Sequence, residues 1–235
     1  MDVRPDRRAA AKGRIAQGGR TRQAILDVAV DLASAEGLEG LTIGRLATQL
    51  SMSKSGLFAH FGSKEDLQLA TIEAARSVFI EEVIRPALEA ERGMPRLWRL
   101  CDTWLRHVEG GDVTSGCSGG CFFAAAASEF DSRPGPVRDR IAEIMREWLG
   151  ILRRAVVESQ DAGQMDADID PTQLAFEFNS FELGANWAFQ LYGDKQAFAR
   201  AREAILERLR RHSTISGSSL LPSTTEKRGR ARAKR

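Results

Sequence analysis

The sequence has no long apolar segment and few cysteines, and each shortage excludes a class of protein. Its longest uninterrupted apolar run, Cys121 to Ala127, has seven residues, whereas a membrane helix needs roughly 18. The N-terminal residues MDVRPDRRAAAKGR are basic but lack the apolar core of a secretion signal. Three cysteines are an odd number in a chain of 235 residues, which favours a reducing compartment over a disulfide framework. We therefore expect a cytoplasmic protein without a membrane partner.

Catalytic and metal-binding motifs are also missing. The chain has no H-E-x-x-H, no G-x-S-x-G, no glycine-rich phosphate loop and only three histidines. Cys101, His107, Cys117 and Cys121 are the residues that zinc could use, but their spacing C-x5-H-x9-C-x3-C matches no common zinc module. Cys121 begins an apolar segment and is predicted to be core, which leaves Cys117 in a glycine-rich loop as the more reactive thiol. We predict neither an enzyme nor a metal site, with metal or thiol sensing as the alternative.

Charge is segregated along the chain, although the net charge is only +2. Residues 1–22 carry seven Lys/Arg against two Asp, and residues 213–235 carry six against one Glu, so the rest has a net charge of −8. Basic ends favour contact with a polyanion, the alternative being that they are solvated and take no part. Residues 1–18 are predicted to be a flexible basic arm and residues 213–235 a disordered basic tail. The N-terminal cations that could reach flanking phosphates or a minor groove are Arg4, Arg7, Arg8, Lys12, Arg14, Arg20 and Arg22.

Apolar residues recur with helical spacing between the two ends, and no segment alternates with the period of a strand. The first helix carries Ile25, Val28, Ala29 and Leu32 on one face and should stop at Gly37. Later helices are predicted at 63–84 (stopped by Pro86), 95–108, 121–130, 137–160, 171–192 and, capped by Asp194, up to about 211. We therefore predict an all-α fold, with a three-helix domain at 19–66 followed by a helical bundle at 67–212.

The stretch TIGRLATQLSMSKSGLFAHFGSKEDL contains two short helices joined by a tight turn. Thr42 and Ser53 are suitable N-caps for them. Leu46, Leu50 and Leu57 are suited to pack on the first helix, while the other face of the second helix carries short or cationic side chains. Those outward residues are Ser53, Lys54, Ser55, Gly56, Ala59 and His60. Such a helix-turn-helix unit can place its second helix in the major groove of DNA.

Residues 19–67 resemble the DNA-binding domain of the TetR family of transcriptional regulators. The resemblance is carried by the run AILDVAVDLASAEGLEGLTIGRLATQLSMSKSGLFAHFGSKEDL. It implies that DNA is contacted by Thr42, Ser53, Lys54, Ser55, Phe58, His60 and Lys64. Arg45 and Gly56, on the same two short helices, complete the predicted DNA-binding set. Phe58 departs from the family, which usually has Tyr there, so Phe58 either makes an apolar contact to DNA or packs in the protein.

The second half is similar to the family's ligand-binding and dimerisation domain in length and helical character, and GCFFAAAASEFDSRPGPVRDRI resembles a segment found in one branch of the family. The resemblance implies a pocket for a small-molecule effector and no other cofactor. The candidate ligand-binding residues are Trp98, Trp104, Phe122, Phe123, Asn179 and Trp187, with Asn186 as a further polar candidate. Each aromatic side chain has core packing as its alternative role, and each Asn has solvent exposure.

Two apolar stripes near the C-terminus are compatible with a homodimer. One stripe includes Leu174 and Ala188, and the other lies on the last helix. The predicted interface residues are Phe178, Phe181, Ala185, Phe198, Ala201, Ile205 and Leu209. The resemblance implies a dimeric repressor on a pseudo-palindromic operator, released when an effector shifts the protein to a second state. Helix 64–84 would be the element that couples the two halves.

Overall fold

The computed structural model describes residues 7–110 and 119–222, with side chains from Thr21 onward. Every regular element in these ranges is helical, so the predicted all-α class is confirmed. None of the helices there is both long enough and apolar enough to cross a membrane. The helices are α1 Arg7–Glu36, α2 Ile43–Gln49, α3 Lys54–Phe58, α4 Lys64–Phe79, α5 Arg85–Leu88, α6 Met94–Glu109, α7 Phe122–Phe130, α8 Pro136–Asp161, α9 Pro171–Tyr192, α10 Ala197–His212 and α11 Ile215–Ser218, with a π-helical turn Ile80–Ile84 between α4 and α5.

The described residues form two compact units. The first contains those of Met1–Phe79 and Gly110–Ile144, and the second contains those of Ile80–Glu109 and Met145–Arg235. The predicted DNA-binding segment 19–66 lies within the first unit. The predicted regulatory segment 67–212 contributes residues to both units, and its boundaries stay a prediction.

In the first unit, α1 packs on α2, α4 and α7. Its buried face is formed by Ile25, Leu26 and Ala29, with Val28 and Leu32 only partly covered, so the face is rotated slightly from the predicted one. The helix ends at Glu36, and Gly37 follows with a φ of 91°, as its predicted stop requires. The core of this unit also contains Leu38, Leu46, Leu57, Phe61, Leu67 and Ile72.

The predicted flexible arm is corrected from Arg7 onward, because the backbone of α1 is helical from that residue. The segment RRAAAKGRIAQ is composed largely of Ala, Arg, Lys and Gln, which have high helix propensity. This local preference extends α1 beyond the apolar pattern that marks its packed part. Arg4 lies outside the described residues, as do the side chains of the other predicted cations before Thr21.

Pro86 does not end the fourth helix where the sequence predicted. A proline inside an α-helix lacks the N–H donor and clashes with the carbonyl four residues before it. Here the wider π-helical turn Ile80–Ile84 comes just before Pro86, and the helical path continues through α5 to Leu88. Thr103 Oγ1 donates to the Val83 carbonyl in this turn at 3.0 Å.

The second unit is built mainly by α6, α9 and α10 packing on one another, with α5 against α6. The observed bounds of α6, α8 and α9 lie within about one residue of those predicted. Asp194 does not cap α10 directly, because that helix starts at Ala197. Its carboxylate instead accepts a hydrogen bond from the Gln196 N–H at 2.9 Å, in the turn that precedes the helix.

The C-terminal tail is ordered as far as Pro222, which corrects the prediction of disorder for residues 213–222. Ser213 pairs with Met165, and the Thr214 N–H donates to the Gln164 carbonyl at 3.0 Å. Gly217 lies so close to Gln164 that an added Cβ would be 1.9 Å from its carbonyl oxygen. The low hydrophobicity of the tail does not prevent this docking, because backbone hydrogen bonds hold it. Residues 223–235 lie outside the described residues.

Candidate nucleic-acid interface

Helices α2 and α3 form the helix-turn-helix unit, and local hydrogen bonds fix its geometry. Thr42 Oγ1 accepts from the Arg45 N–H at 3.1 Å, and Ser53 Oγ accepts from the Gly56 N–H at 3.1 Å, so both predicted N-caps are confirmed. Between the helices, Ser51 adopts a left-handed φ of 53°. The Met52 N–H donates to the Ala47 carbonyl at 2.9 Å and closes the turn.

The structure separates the two faces of α3 as the sequence predicted. Leu57 and the following Phe61 are buried in the first unit. The side chains of Ser53, Lys54, Ser55 and Ala59 are exposed, and Gly56 and His60 are partly exposed. Phe58 is 52% exposed, so it is not part of the core, and its contact with DNA stays a prediction. The outer face of α3 is thus a short surface without large obstructing side chains, apart from Phe58.

Two of the predicted DNA-contacting cations are held by carboxylates in the absence of DNA. Arg45 makes a two-pronged ion pair with Glu36, with N–O distances of 2.5 and 3.1 Å. The Arg45 hydrogen bond lowers the pKa of the Glu36 carboxyl. Lys64 Nζ lies 3.0 Å from Glu39 Oε1. Both ion pairs are exposed, so water and salt weaken them.

Lys54 and Arg22 occupy different surroundings. The Lys54 side chain passes over Gly44, where a Cβ would lie 3.4 Å from Lys54 Cε. Arg22 stacks its guanidinium over the Phe61 ring, 4.9 Å from the ring centre. Arg22 is therefore oriented by an aromatic contact rather than left as part of a loose arm.

A carboxylate from α7 binds the turn between α1 and α2, and this contact was not predicted. Glu129 accepts hydrogen bonds from the Leu38 N–H at 3.2 Å and the Glu39 N–H at 2.7 Å. A Cβ on Gly37 would lie 2.5 Å from Glu129 Oε1, so the glycine also makes room for this carboxylate. Gln68 Nε2 donates to the Leu38 carbonyl from the other side at 3.0 Å. Because Glu129 is about 90 residues away in the chain, only Gly37 was visible as a signal.

We expect Glu129→Ala to destabilise the first unit by about 1–3 kcal/mol, because two backbone N–H groups lose their acceptor. Urea unfolding followed by helix circular dichroism measures this change. Glu129→Gln should lose less, since one amide oxygen remains. Ser128→Ala, which removes an exposed hydroxyl on the same helix, is the control. Equal stability of Glu129→Ala and Ser128→Ala would show that the Glu129 contact contributes nothing.

The predicted ligand-binding residues are divided between the two units, and their role in binding stays a prediction. Phe122 and Phe123 are buried in the first unit, where Phe123 meets Phe79 edge-to-face with ring centres 6.2 Å apart. In the second unit Trp104 is buried, Asn179 is partly buried and Trp187 is exposed. A surface cleft of about 550 Å³ in that unit includes Trp98 but none of the other five. The lining of this cleft is Pro86, Glu89, Ala90, Pro95, Trp98, Arg99, Leu220, Leu221 and Pro222.

Helix α9 carries a buried acid in the second unit, and its burial was not predicted. Glu182 is fully buried, and Trp148 Nε1 donates to its Oε2 at 3.2 Å. Its Oε1 has no hydrogen-bond partner in the described part of the chain, which costs about 1–3 kcal/mol for a buried polar group. Burial raises the pKa of Glu182 well above its usual value, although hydrogen bonds from Trp148 and Cys101 act in the opposite direction. A helix pattern that assigns Glu to the solvent face gave no signal for this site.

Neither of the two cysteines in the described ranges lies at the surface. Cys101 and Cys121 are buried. Burial, and after it the neighbouring Glu182 carboxyl, raises the pKa of the Cys101 thiol well above its usual range, so its nucleophilic thiolate form is disfavoured. No cluster of three potential metal ligands occurs within residues 7–110 and 119–222. Cys117 lies outside these ranges.

The predicted dimer-interface residues are mostly buried within a single chain. Phe178, Phe198, Ile205 and Leu209 have no exposed surface, and Ala185 and Ala201 have little, while Phe181 is partly exposed. The six residues other than Phe181 are therefore internal to one protomer, where α9 packs on α10, which corrects their assignment to a surface. The role of Phe181 stays a prediction. Helix α9 leaves a different apolar set exposed: Phe176, Trp187, Leu191 and Tyr192.

Comparison with known proteins agrees with this architecture. Residues 25–71 match the family model described as bacterial regulatory proteins of the tetR family, and residues 93–205 match a tetracyclin repressor-like C-terminal domain. The chain is 27% identical over 203 residues to the HTH-type transcriptional regulator TcmR of Streptomyces glaucescens, covering 81% of this chain and 83% of TcmR.

Solved structures share the fold. A TetR transcriptional regulator from Chloroflexus aurantiacus superposes with a TM-score of 0.77 at 21% identity, over 84% of this chain and 98% of that one. AibR, solved in complex with isovaleryl coenzyme A and operator DNA, superposes with a TM-score of 0.62 at 21% identity, over 81% of this chain and 97% of AibR.

Proposed function

The chain belongs to the TetR family of transcriptional regulators, and from that membership we propose that it is a dimeric repressor of a pseudo-palindromic operator, released by a small-molecule effector. The observation that carries the DNA-binding part is the outer face of α3. Its inner residue Leu57 is buried, and its outer residues are short or cationic. A helix of this kind fits the major groove, which is about 12 Å wide. Like the other members of its family, the chain is a DNA-binding protein and not an enzyme.

The proposed DNA contacts are of two kinds: contacts to phosphates, which position the protein, and contacts to base edges, which recognise the sequence. Thr42, Arg45, Ser53 and Lys64 lie at helix starts or on flanking surfaces, where hydroxyl, cationic and backbone N–H groups suit phosphates. Lys54, Ser55 and His60 are the proposed base-reading side chains, with Phe58 providing an apolar contact such as a thymine methyl group. Gly56 allows close approach because it has no side chain.

For an effector to release the operator, a structural change in the regulatory segment has to reach the α2–α3 unit. Glu129 provides such a connection within the first unit. Helix α7 lies in the segment that matches the family's C-terminal domain, and its Glu129 binds the turn that leads into α2. A shift of α7 in an effector-bound state would move or release this turn. The effector acts only through its differential affinity for the two states. AibR, solved in complex with isovaleryl coenzyme A and operator DNA, supports the idea that this fold can bind both a small molecule and DNA.

We expect selection from genomic fragments with the purified protein to yield a preferred site with a two-fold symmetric footprint. Lys54→Ala/His60→Ala should abolish that footprint and weaken binding at least about tenfold, since each base-edge contact contributes about 1–3 kcal/mol. Lys195→Ala, which removes an exposed lysine in the second unit, should leave the footprint intact.

Two results would contradict this proposal. Weak, salt-sensitive binding without a preferred site would show that the basic ends, and not the outer face of α3, dominate DNA contact. Loss of operator binding on addition of a chelator or a reductant would instead favour the metal or thiol sensor considered above.

A further inference from the structure

Glu182 is a buried acid that no cationic side chain neutralises. The influences on its pKa are burial, Trp148 and Cys101, and no lysine, arginine or histidine of the described chain is among them. Other acids in the same helix and elsewhere are paired. Glu177 receives two hydrogen bonds from Arg208, and Glu73 receives two from Arg140. An acid needed only for packing or stability would be expected to resemble Glu177 rather than Glu182.

The carboxyl group of Glu182, with its unpartnered Oε1, lies where three helices of the second unit meet. Glu182 comes from α9, the Trp148 indole from α8 and the Cys101 thiol from α6, and the last two are the groups that face its carboxyl. Asn179 and Asn186 precede and follow Glu182 at i−3 and i+4, so the three polar residues share one face of α9. Both amides are partly buried. This face therefore forms a polar stripe of about 10 Å along a largely apolar helix.

We propose that the polar stripe Asn179–Glu182–Asn186 recognises the effector, and that the effector is an organic ammonium compound with an apolar body. This inference rests on the proposed function and specifies the chemical class of the ligand. An ammonium group would donate to Oε1 of an ionised Glu182, while Trp148 would continue to donate to Oε2. Such a charge-assisted hydrogen bond is roughly twice as strong as one between neutral groups. The proton displaced from Glu182 passes to solvent, so charge is balanced.

The same geometry disfavours anionic effectors at this site. A carboxylate has no hydrogen to donate to Oε1, and beside it Glu182 could ionise only by placing a second negative charge in a buried setting. A neutral hydroxyl could donate to Oε1 but would gain no charge assistance. Three probes with one apolar body, a phenyl ring on four methylene groups, separate these cases: 4-phenylbutylamine, 4-phenylbutan-1-ol and 5-phenylpentanoate.

The test uses the full-length protein, with binding of each probe followed by intrinsic tryptophan fluorescence and by release of the footprinted operator fragment. For the wild type we expect the amine to bind at least about tenfold more tightly than the alcohol and the carboxylate. Glu182→Gln should reduce the preference for the amine over the alcohol to about twofold or less. Glu177→Gln, on the same helix but in an ion pair with Arg208, should retain the preference and is the matched control.

The outcomes separate the ligand class from the wider function. An equal response to the three probes, including no response to any, overturns the proposed site, as does an amine preference that survives in Glu182→Gln. Either result leaves the repressor function standing if the operator footprint is present. Failure to find an operator would instead overturn the proposed function, and the fluorescence titrations would still decide whether Glu182 recognises the amine.

Discussion

Replacement of Leu191 by glutamate is expected to convert the protein to a monomer that binds its operator at least about 100-fold more weakly than the wild type. Leu191 and Trp187 lie one turn apart on α9 and are 62% and 56% exposed. The Trp187 ring meets Tyr192 edge-to-face, with ring centres 4.9 Å apart. Contiguous exposed aromatic and aliphatic side chains of this kind mark a protein–protein contact more often than a solvated surface. We propose that this face of α9 contacts its counterpart in a second copy of the chain.

The expected loss of operator affinity is large because a dimer binds both half-sites at once and a monomer binds only one. In a dimer the second DNA-binding unit is held close to its half-site, which increases overall affinity by about 10² to 10⁴. A glutamate at the centre of an isologous contact is introduced twice, and the two carboxylates lose their water without gaining a partner. Sedimentation or light scattering gives the mass, and a titration of the footprinted fragment gives the affinity.

Leu88→Glu is the matched control, because Leu88 is 52% exposed but lies on α5. This variant should remain dimeric and bind the operator normally. Phe178→Ala separates the corrected interface from the predicted one. Since Phe178 is fully buried between helices of one chain, its loss should reduce stability by about 3–5 kcal/mol rather than dissociate the dimer. A Leu191→Glu protein with the mass and affinity of the wild type would exclude α9 as the contact.

The sequence was sufficient for the features of the DNA-binding unit that depend on neighbouring residues. The caps at Thr42 and Ser53 span three residues each, and the stop at Gly37 depends on that glycine's own φ. The separation of Leu57 from Lys54 likewise follows from helical periodicity. Such features survive in any tertiary context, which is why they could be predicted together with the all-α class.

Helix α9 shows why the interface and ligand residues could not be predicted in the same way. This helix is apolar on more than one face, so periodicity offers both Phe178 and Trp187 as members of a stripe. Only the packing of α10 decides that Phe178 is internal and Trp187 external. Glu129 and Glu182 were missed for a related reason. Their partners come from residues distant in sequence, and a lone glutamate on a helix predicts solvent exposure.

Glu182 should also give the protein an unusual dependence of stability on pH. Burial raises the pKa of Glu182 above the value of 4.5 that the unfolded chain would show. Between these two pKa values the folded protein keeps a proton that the unfolded chain has lost, so folding becomes less favourable as the pH rises. For one proton the contribution of Glu182 falls by about 1.4 kcal/mol per pH unit.

His107 acts in the opposite direction over part of this range. Burial lowers the pKa of His107, even though its ring lies 2.7 Å from a Glu82 carboxylate oxygen. Its contribution to stability is therefore present above the unfolded value of 6.5 and is lost as the pH falls. The net slope of the wild type combines both groups, so the Glu182 term has to be isolated by difference.

We therefore expect Glu182→Gln to gain stability relative to the wild type as the pH is raised from 5 toward the folded pKa of Glu182, by about 1.4 kcal/mol per unit. Urea unfolding at intervals of one pH unit, with both proteins in the same buffers, measures the difference. Glu177→Gln should differ from the wild type by an amount that does not change above pH 5, because the Arg208 hydrogen bond lowers the pKa of Glu177 and its stabilisation is lost only as the pH falls below 4.5. A difference between Glu182→Gln and the wild type that does not change with pH would mean that Glu182 is ionised in the folded protein. Trp148 and Cys101 would then be the only groups that stabilise a buried negative charge. The structure argues against this, because Oε1 of Glu182 has no hydrogen-bond partner in the described chain.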